Sequence, residues 1–283
     1  MNGADVEIGY LDVGEAGAEA PLLLVHGLGG RRQHWERVIP AISRTRRVLA
    51  IDLPGFGKSP LPVAGPLDLP GMADAIAALV RHLSLGRVVF VGHSFGGPLG
   101  TIFAARHRDL LERLVLVAGT VQSFQRTLGL RLRPWLTRPV TAVATVAELV
   151  YTAVPVPEML RGVISRSPAL RGLALWPFVL SPRGLGQAEA RLLIDGAGAP
   201  GVLPTARAIG RVSGWERLEI DVPVTLINGD HDLIAPLADL RTYPGRVDQV
   251  LVVKDTGHLP MLERPRAFVA ALEQAILADQ EGG

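Results

Sequence analysis

The stretch Val88-Val89-Phe90-Val91-Gly92-His93-Ser94-Phe95-Gly96-Gly97 decides the fold of this chain. Its first residues are β-branched or aromatic, which predicts a buried strand, and the apolar run at 101–105 predicts a helix. Between the two, Gly92 to Gly96 fit the pattern G-x-S-x-G. A tight turn from a strand into a helix is the context in which this pattern exposes a serine hydroxyl. We therefore expect Ser94 to be a nucleophile at the tip of such a turn.

Strand-like apolar runs alternate with helix-like runs on both sides of this stretch. Further strands are predicted at residues 6–13, 21–25, 48–51, 114–117, 222–227 and 247–253, and further helices at 33–43, 72–83 and 265–279. Nearly continuous apolar strands in a β-α alternation indicate a parallel sheet that is covered on both faces. The predicted fold class is therefore α/β, with a mostly parallel central sheet and helices on both faces.

The alternation stops after Gly119-Thr120 and resumes near residue 219. The sequence in between is helical and irregular in character and is broken by many prolines. Its most apolar part, Pro139 to Pro157, contains Glu148 and three threonines, which favours a helix of a globular domain over a membrane span. We expect one core domain formed by residues 1–120 and 219–283, with a helical cap inserted at 121–218.

The composition is that of an ordinary globular protein, with 283 residues, of which 48% are hydrophobic and 20% charged. The absence of cysteine excludes disulfides and thiolate metal sites and is compatible with a reducing compartment. The first residues have neither the basic nor the apolar region of a signal peptide, so we expect a cytoplasmic location. Histidines and carboxylates do not cluster with metal-ligand spacing, so we predict no metal and no cofactor.

Charge is distributed unevenly along the chain. Residues 121–216 carry 11 arginines against five acidic residues, a net +6, while the whole chain is +2, so the remainder is −4. The excess indicates either a solvated arginine-rich surface or attraction of an anionic substrate or an anionic membrane surface to the cap. Nucleic-acid binding is not expected, because no basic motif with interleaved aromatic residues accompanies the charge.

A serine hydroxyl attacks efficiently only when a neighbouring base removes its proton and a third group orients that base. Candidates for both follow later strands, at the strand ends where ligands bind in open α/β sheets. Asp230 and Asp232 follow the strand that ends at 227, and His258 follows the strand that ends at 253. The chain therefore supplies a serine, an acid and a histidine in that order.

Five motifs in one order resemble the α/β-hydrolase superfamily, over about residues 6–119 and 221–277. They are an oxyanion loop at 26–30, a turn at 52–59, the serine turn at 92–96, an acid loop at 229–236 and a histidine loop at 257–265. The resemblance implies an α/β-hydrolase fold, and the inserted segment then corresponds to the variable cap of that superfamily.

The resemblance also implies a role for individual residues. Ser94 is the nucleophile, His258 the general base and acid, and Asp232 the residue that orients the histidine. The backbone N–H groups of Leu28 and Phe95 form the oxyanion hole, which stabilises the negative charge that develops on the substrate.

Several nearby residues have two interpretations. Asp230 competes with Asp232 as the acid, although the family spacing favours Asp232 and a residue such as Asp230 suits a hydrogen bond in a turn. His26 suits structural hydrogen bonding better than base catalysis. A larger group of aromatic residues either lines a substrate pocket or packs the cap onto the core: Trp35, Trp135, Trp176, Phe178 and Trp215.

These residues predict a serine hydrolase that cleaves a carboxylic ester or a related acyl bond through an acyl-Ser94 intermediate. The expected partner is a small substrate that is apolar or carries an anionic group. The same three side chains also support acyl transfer, carbon–carbon bond hydrolysis, cofactor-free peroxidase and lyase chemistry, and a ligand-binding receptor or scaffold is a further alternative. Leu259 counts mildly against carbon–carbon bond hydrolysis, because enzymes of that kind usually have tryptophan after the histidine.

Overall fold

The computed structural model describes residues 6–119 except 16, 18 and 67, residues 132–211, and residues 218–277 except 241, 242, 244 and 245. Within these residues, one sheet has the strand order β1-β3-β2-β4-β5-β6-β7. Its strands are β1 (Tyr10–Val13), β2 (Leu22–Val25), β3 (Val48–Ile51), β4 (Val88–His93), β5 (Leu111–Val117), β6 (Val224–Gly229) and β7 (Gln249–Val253). Only β1 pairs antiparallel, so the predicted mostly parallel sheet is confirmed.

Side chains alternate between the two faces of the sheet and belong to two separate apolar cores. Leu23 and Val25 of β2 lie in one core, and Leu22 and Leu24 lie in the other. All four are buried, as are all residues of β3 and β4. Strands that are apolar on both faces require helices on both sides, as the sequence predicts.

Six helices in the described part of the core cover these faces. They are α1 (Ile39–Ile42), α2 (Leu69–His82), α3 (Gly96–Arg106), α10 (Leu237–Leu240), α11 (Pro260–Glu263) and α12 (Pro265–Leu277). Met72 of α2 and Phe103 of α3 belong to one apolar core, and Phe268 of α12 belongs to the other. The helix predicted at 33–43 is divided into a short 3-10 turn, Arg32–Trp35, and α1, because Pro40 has no N–H to continue a helix.

The described residues between β5 and β6 form six further helices, which we call the inserted helices. They are α4 (Leu132–Thr137), α5 (Pro139–Ala153), α6 (Glu158–Arg166), α7 (Pro168–Leu175), α8 (Gln187–Ile194) and α9 (Val202–Arg211). The described part of the inserted segment contains no strand. Proline in the first turn of α5 and α7 fits these helix starts, since that position has no N–H partner to lose. None of the described helices combines the length and the apolar character that crossing a bilayer requires.

Candidate active site

Ser94 stands at the turn between β4 and α3 with a φ of +48°, in the left-handed region that serine rarely adopts. Its N–H donates to the carbonyl of Val117 in the neighbouring strand at 2.8 Å. The turn leaves no space for side chains on either side: a Cβ on Gly92 would overlap the carbonyl oxygen of Gly96, and a Cβ on Gly96 would lie 2.7 Å from the carbonyl oxygen of Val25. Glycines at both positions therefore allow the strained turn that presents Ser94.

His258 follows β7 and is hydrogen-bonded to Asp232, which follows β6. The His258 Nδ1 lies 2.9 Å from Asp232 Oδ2, and both side chains are buried. The other carboxylate oxygen of Asp232 accepts the N–H groups of Ile234 and Ala235, at 2.9 and 2.8 Å. Because an ionised carboxylate only accepts, Nδ1 carries the proton and the unprotonated nitrogen of neutral His258 is Nε2. Burial opposes protonation of His258, but the charge and hydrogen bond of Asp232 outweigh it and raise its pKa.

Asp230, the competing acid, has other partners. Its Oδ1 accepts the N–H of Thr256 at 3.2 Å and contacts His231 Nδ1 at 2.8 Å. It therefore stabilises the turn between the two loops, while Asp232 is the aspartate that pairs with His258.

The loop that carries His258 is fixed from two directions. The His258 N–H donates to the carbonyl of Phe178 in the inserted segment at 2.9 Å, and His93 Nε2 donates to the His258 carbonyl, also at 2.9 Å. The rings of His93 and His258 pack with centroids 4.9 Å apart. Glu263 adds a third link, because its carboxylate accepts the N–H of Gly257 at 2.8 Å and that of Leu180 at 2.7 Å.

His93 is a residue whose place sequence reasoning missed. Burial holds its pKa well below the usual value, so the ring is neutral and can donate from Nε2 to His258. The only sequence feature that points to it is its position directly before Ser94, which places it at the end of β4 beside the loop after β7.

The loop after β2 lies against the serine turn. A Cβ on Gly27 would lie 2.8 Å from Ser94 Cβ, so the two segments are in close contact. His26 holds this loop in place: its Nε2 accepts the N–H of Leu53 at 3.0 Å, and its Nδ1 contacts the carbonyl of Gly27 at 2.8 Å. Burial lowers the pKa of His26 to about 4, which keeps the ring neutral and able to accept and donate at once.

The N–H groups of Leu28 and Phe95 are not hydrogen-bonded to any residue that the structure describes. Both residues line the same cavity as Ser94 and His258. Two unengaged donors beside a serine hydroxyl are what a developing oxyanion requires.

Two cavities meet at Ser94. Four residues line both: Leu28, Ser94, Glu148 and His258. The rest of the first cavity is mostly apolar, with Pro98, Ala118, Ile209 and Ile234 among its residues. The second includes more polar side chains, among them His34, His93, Tyr151 and Thr152. The shared residues place Ser94 between two spaces of different character.

The Nε2 of His258 has no hydrogen-bond partner among the described residues, Ser94 included. Nε2 is nevertheless the nitrogen left for the serine, since Nδ1 is engaged by Asp232. Hydrogen bonds of this kind are often long without a substrate and shorten when one binds. The structure thus places the unbonded Nε2 of neutral His258 and the half-buried Ser94 in the walls of the same two cavities.

Three tryptophans named from the sequence do not line either cavity. Trp35 is fully buried behind His93, with ring centroids 6.5 Å apart in an edge-on arrangement. Trp135 on α4 is 39% exposed, and Trp176, after α7, is half-buried against the apolar core. Phe178 does line the second cavity, and Trp215 lies outside the described residues.

Glu148 is a second residue that sequence reasoning did not identify as part of the site. It lies on α5, is 3% exposed, and lines both cavities. Burial raises the pKa of its carboxyl to about 7. The smaller effect of His258 lowers this pKa, and that of Asp232 raises it. Its only sequence feature is a lone carboxylate in an apolar helix, which is also compatible with an exposed position. No group of metal-binding side chains occurs in the described part of the chain.

Comparison with known proteins identifies the same architecture. Residues 20–155 match the family model described as alpha/beta hydrolase fold. A 102-residue segment is 40% identical to the soluble epoxide hydrolase of Corynebacterium sp. (strain C12), over 36% of this chain and 35% of that protein. A longer match, 29% identical over 87% of this chain and 90% of the relative, is to a pimeloyl-[acyl-carrier protein] methyl ester esterase of Neisseria meningitidis.

Three of the relatives, the epoxide hydrolase among them, are matched over only 35%, 51% and 42% of their own length. Among solved structures, a thermophilic esterase from Thermogutta terrifontis superposes with a TM-score of 0.71 at 24% identity, over 97% of this chain and 94% of that one. The likeness at this identity is one of fold. The family match over residues 20–155, the strand order and the superposition agree, and the chain has the α/β-hydrolase fold.

Proposed function

We propose that the protein hydrolyses carboxylic esters through an acyl-enzyme on Ser94. One observation carries the proposal: the hydrogen-bonded pair of His258 and Asp232 lies beside a cavity that also holds Ser94. The unengaged N–H groups of Leu28 and Phe95 line the same cavity. Nucleophile, base, orienting acid and oxyanion donors are the parts that serine acyl transfer needs.

The reaction follows from these positions. His258 Nε2 removes the hydroxyl proton of Ser94 as Oγ attacks the ester carbonyl carbon, and the resulting oxyanion accepts the N–H groups of Leu28 and Phe95. The carbon–oxygen bond to the alcohol then breaks, and His258 returns the proton to the leaving alkoxide. A water molecule, deprotonated by His258, then attacks the acyl carbon. The bond from that carbon to Ser94 Oγ breaks, His258 returns the proton to Oγ, and the carboxylic acid leaves.

The cavities support an uncharged, largely apolar substrate. Among the described residues that line the two spaces there is no lysine or arginine. Among the described arginines of the inserted helices, Arg161 and Arg191 pair with Asp195, and Arg166 and Arg207 are exposed. The positive charge of the inserted segment therefore supports a solvated surface better than an anionic substrate. Two spaces on either side of Ser94 suit an acyl chain in one and the alcohol in the other.

Two residues weigh against related reactions. The epoxide hydrolase name belongs to a relative that matches over about a third of its length, and enzymes of that type attack carbon with an aspartate. Here Ser94 occupies that position, so acyl transfer is favoured. Leu259 lines the second cavity where carbon–carbon bond hydrolases usually carry tryptophan.

A fluorophosphonate probe and a panel of short aryl and alkyl esters test the proposal. We expect wild-type protein to be labelled at Ser94, as located by peptide mass spectrometry, and to hydrolyse at least one ester. The Ser94→Ala variant should lose both the label and the activity. Equal ester hydrolysis by wild-type and Ser94→Ala protein would overturn the proposal.

A further inference from the structure

Helix α5 is oriented with its polar side toward the protein interior. Four polar residues of the helix, spaced by three or four positions, line the two cavities: Thr145, Glu148, Tyr151 and Thr152. Valines point outward instead, and Val140, Val143 and Val150 are each about half exposed. A helix that only closes a core has the opposite arrangement. The inward polar face is therefore the unusual feature of this helix.

The threonines of this face have local partners. Thr145 donates its hydroxyl to the carbonyl of Thr141 at 2.9 Å, and Thr152 donates to the carbonyl of Glu148 at 2.8 Å. Such bonds satisfy a hydroxyl inside its own helix. The threonines thus need no ligand, which leaves Glu148 and Tyr151 as the other polar residues of this face.

Glu148 and Tyr151 have no such partners. The buried hydroxyl of Tyr151 is unbonded. Glu148 is 3% exposed, and burial and nearby charges, without any hydrogen bond, determine the pKa of its carboxyl. The charged groups that affect the pKa of Glu148 are His258 and Asp232, and both belong to the candidate active site. A buried carboxyl without a partner destabilises a fold, so its presence beside Ser94 points to a ligand that completes it.

We infer that Glu148 is a specificity-determining residue: it hydrogen-bonds an uncharged hydroxyl on the acyl chain of the substrate and disfavours a carboxylate there. The inference rests on the proposed ester hydrolysis. A hydroxyl suits this position because it can donate to an ionised Glu148 and accept from a protonated one. It can also accept a hydrogen bond from Tyr151, one helical turn away. A carboxylate would face both Glu148 and Asp232, and an ammonium would face His258 when it becomes cationic during the reaction.

Turnover of matched methyl esters gives the first test. The substrates are methyl hexanoate, its 3-hydroxy, 6-hydroxy and 6-amino derivatives, and monomethyl adipate, which carries a carboxylate. We expect wild-type protein to favour one hydroxy ester over methyl hexanoate by about tenfold or more in kcat/KM, because an unpaired polar group in the site penalises the plain chain. Monomethyl adipate should be the poorest substrate of the set.

Variants at position 148 separate recognition from folding. Glu148→Leu should remove the preference for the hydroxy ester, while Glu148→Gln, which keeps a donor and an acceptor, should retain it and improve turnover of monomethyl adipate about tenfold. The ratio between substrates is the readout, since a purely structural effect would change all rates alike. Glu158→Gln is the matched control: Glu158 lies on the neighbouring α6 and pairs with Arg191 at the surface, so the ratio should not move.

A binding measurement keeps this inference apart from the proposed reaction. Calorimetry on Ser94→Ala protein, with and without Glu148→Leu, gives the affinities for methyl hexanoate and the preferred hydroxy ester without turnover. A preference that Glu148→Leu abolishes supports the inference even if wild-type protein hydrolyses no ester, a result that would overturn the proposed reaction alone. Ester hydrolysis with the same substrate ratio in Glu148→Leu, equal affinities for the two esters, or a stronger preference for the amino ester would overturn the inference.

Discussion

Gly196 lies directly against Gly29, so closely that a Cβ on Gly196 would overlap the carbonyl oxygen of Gly29. Gly196 belongs to the inserted segment, after α8, and Gly29 belongs to the loop that also holds Leu28. Gly29 has a φ of +66° and is itself in contact with Thr152 of α5, since a Cβ there would lie 2.8 Å from the Thr152 Cβ. The position of the Leu28 N–H therefore depends on how the inserted segment lies against the core.

Gly196→Ala tests this dependence. The added methyl group must push the two segments apart, and we expect kcat/KM for ester hydrolysis to fall by roughly 10- to 100-fold, because small displacements of oxyanion donors are costly. Gly210→Ala is the control, since its Cβ would meet no atom within 4 Å at an exposed position of α9. That change should leave activity intact and raise the free energy of unfolding by up to about 1 kcal/mol. Equal activity of the two variants would contradict the dependence.

The two neighbouring aspartates provide a second prediction. Asp232→Asn should lower kcat/KM by about 10³- to 10⁴-fold, because the amide no longer fixes the protonated nitrogen of His258. Asp230→Asn keeps an acceptor oxygen for the N–H of Thr256 and removes only the negative charge beside His231, so its activity should stay within a few-fold of wild type. Initial rates with one aryl ester, together with circular dichroism to verify folding, decide the comparison. A larger loss in Asp230→Asn would assign the acid role to Asp230.

Much of this site could be predicted from the sequence because its parts are encoded locally. A buried strand, two glycines and a serine specify the turn at Ser94, and loops that follow parallel strands meet at one edge of the sheet. This reasoning located Asp232 and His258 at neighbouring strand ends, as the pairing of β6 with β7 requires.

Which side chains line the cavities could not be predicted in the same way. Trp35 has the same apolar pattern whether it lines a pocket or packs behind one, and the structure places it behind His93. The orientation of α5 depends on contacts with distant loops, so the sequence around Glu148 does not reveal which side faces inward. His93 is distinguished only by a hydrogen bond to the carbonyl of a residue 165 positions away.

The rate of ester hydrolysis should depend on the protonation of His258. The base must be neutral to accept the proton of Ser94, so kcat/KM should rise with pH, with a midpoint above 6.5 because the pKa of His258 is raised. Glu148 raises the pKa of His258 together with Asp232 and Glu263, so Glu148→Gln should move the midpoint to lower pH. Profiles of kcat/KM between pH 5 and 9 measure both effects. A midpoint that moves upward in Glu148→Gln would contradict the proximity of the two side chains.

Glu148 should also make stability depend on pH. Burial raises the pKa of its carboxyl from 4.5 to about 7, so the folded state binds this proton more tightly than the unfolded state. The resulting stabilisation is complete below pH 4.5 and is lost as the pH rises through about 7. The groups that share its surroundings are His258, Asp232, His34, His93 and Tyr151, and all of them are present in wild-type and Glu148→Gln protein alike.

The difference in free energy of unfolding between wild type and Glu148→Gln isolates this effect. Relative to the variant, wild-type protein should be about 2–3 kcal/mol more stable at pH 5 than at pH 9, as urea denaturation at each pH would measure. The surface carboxyl of Glu158 has the opposite behaviour, because its hydrogen bonds with Arg191 lower its pKa. Wild-type protein compared with Glu158→Gln should therefore gain nothing as the pH falls. A difference for Glu148→Gln that does not change with pH would contradict the prediction, because it would mean that folding leaves the pKa of this carboxyl unchanged.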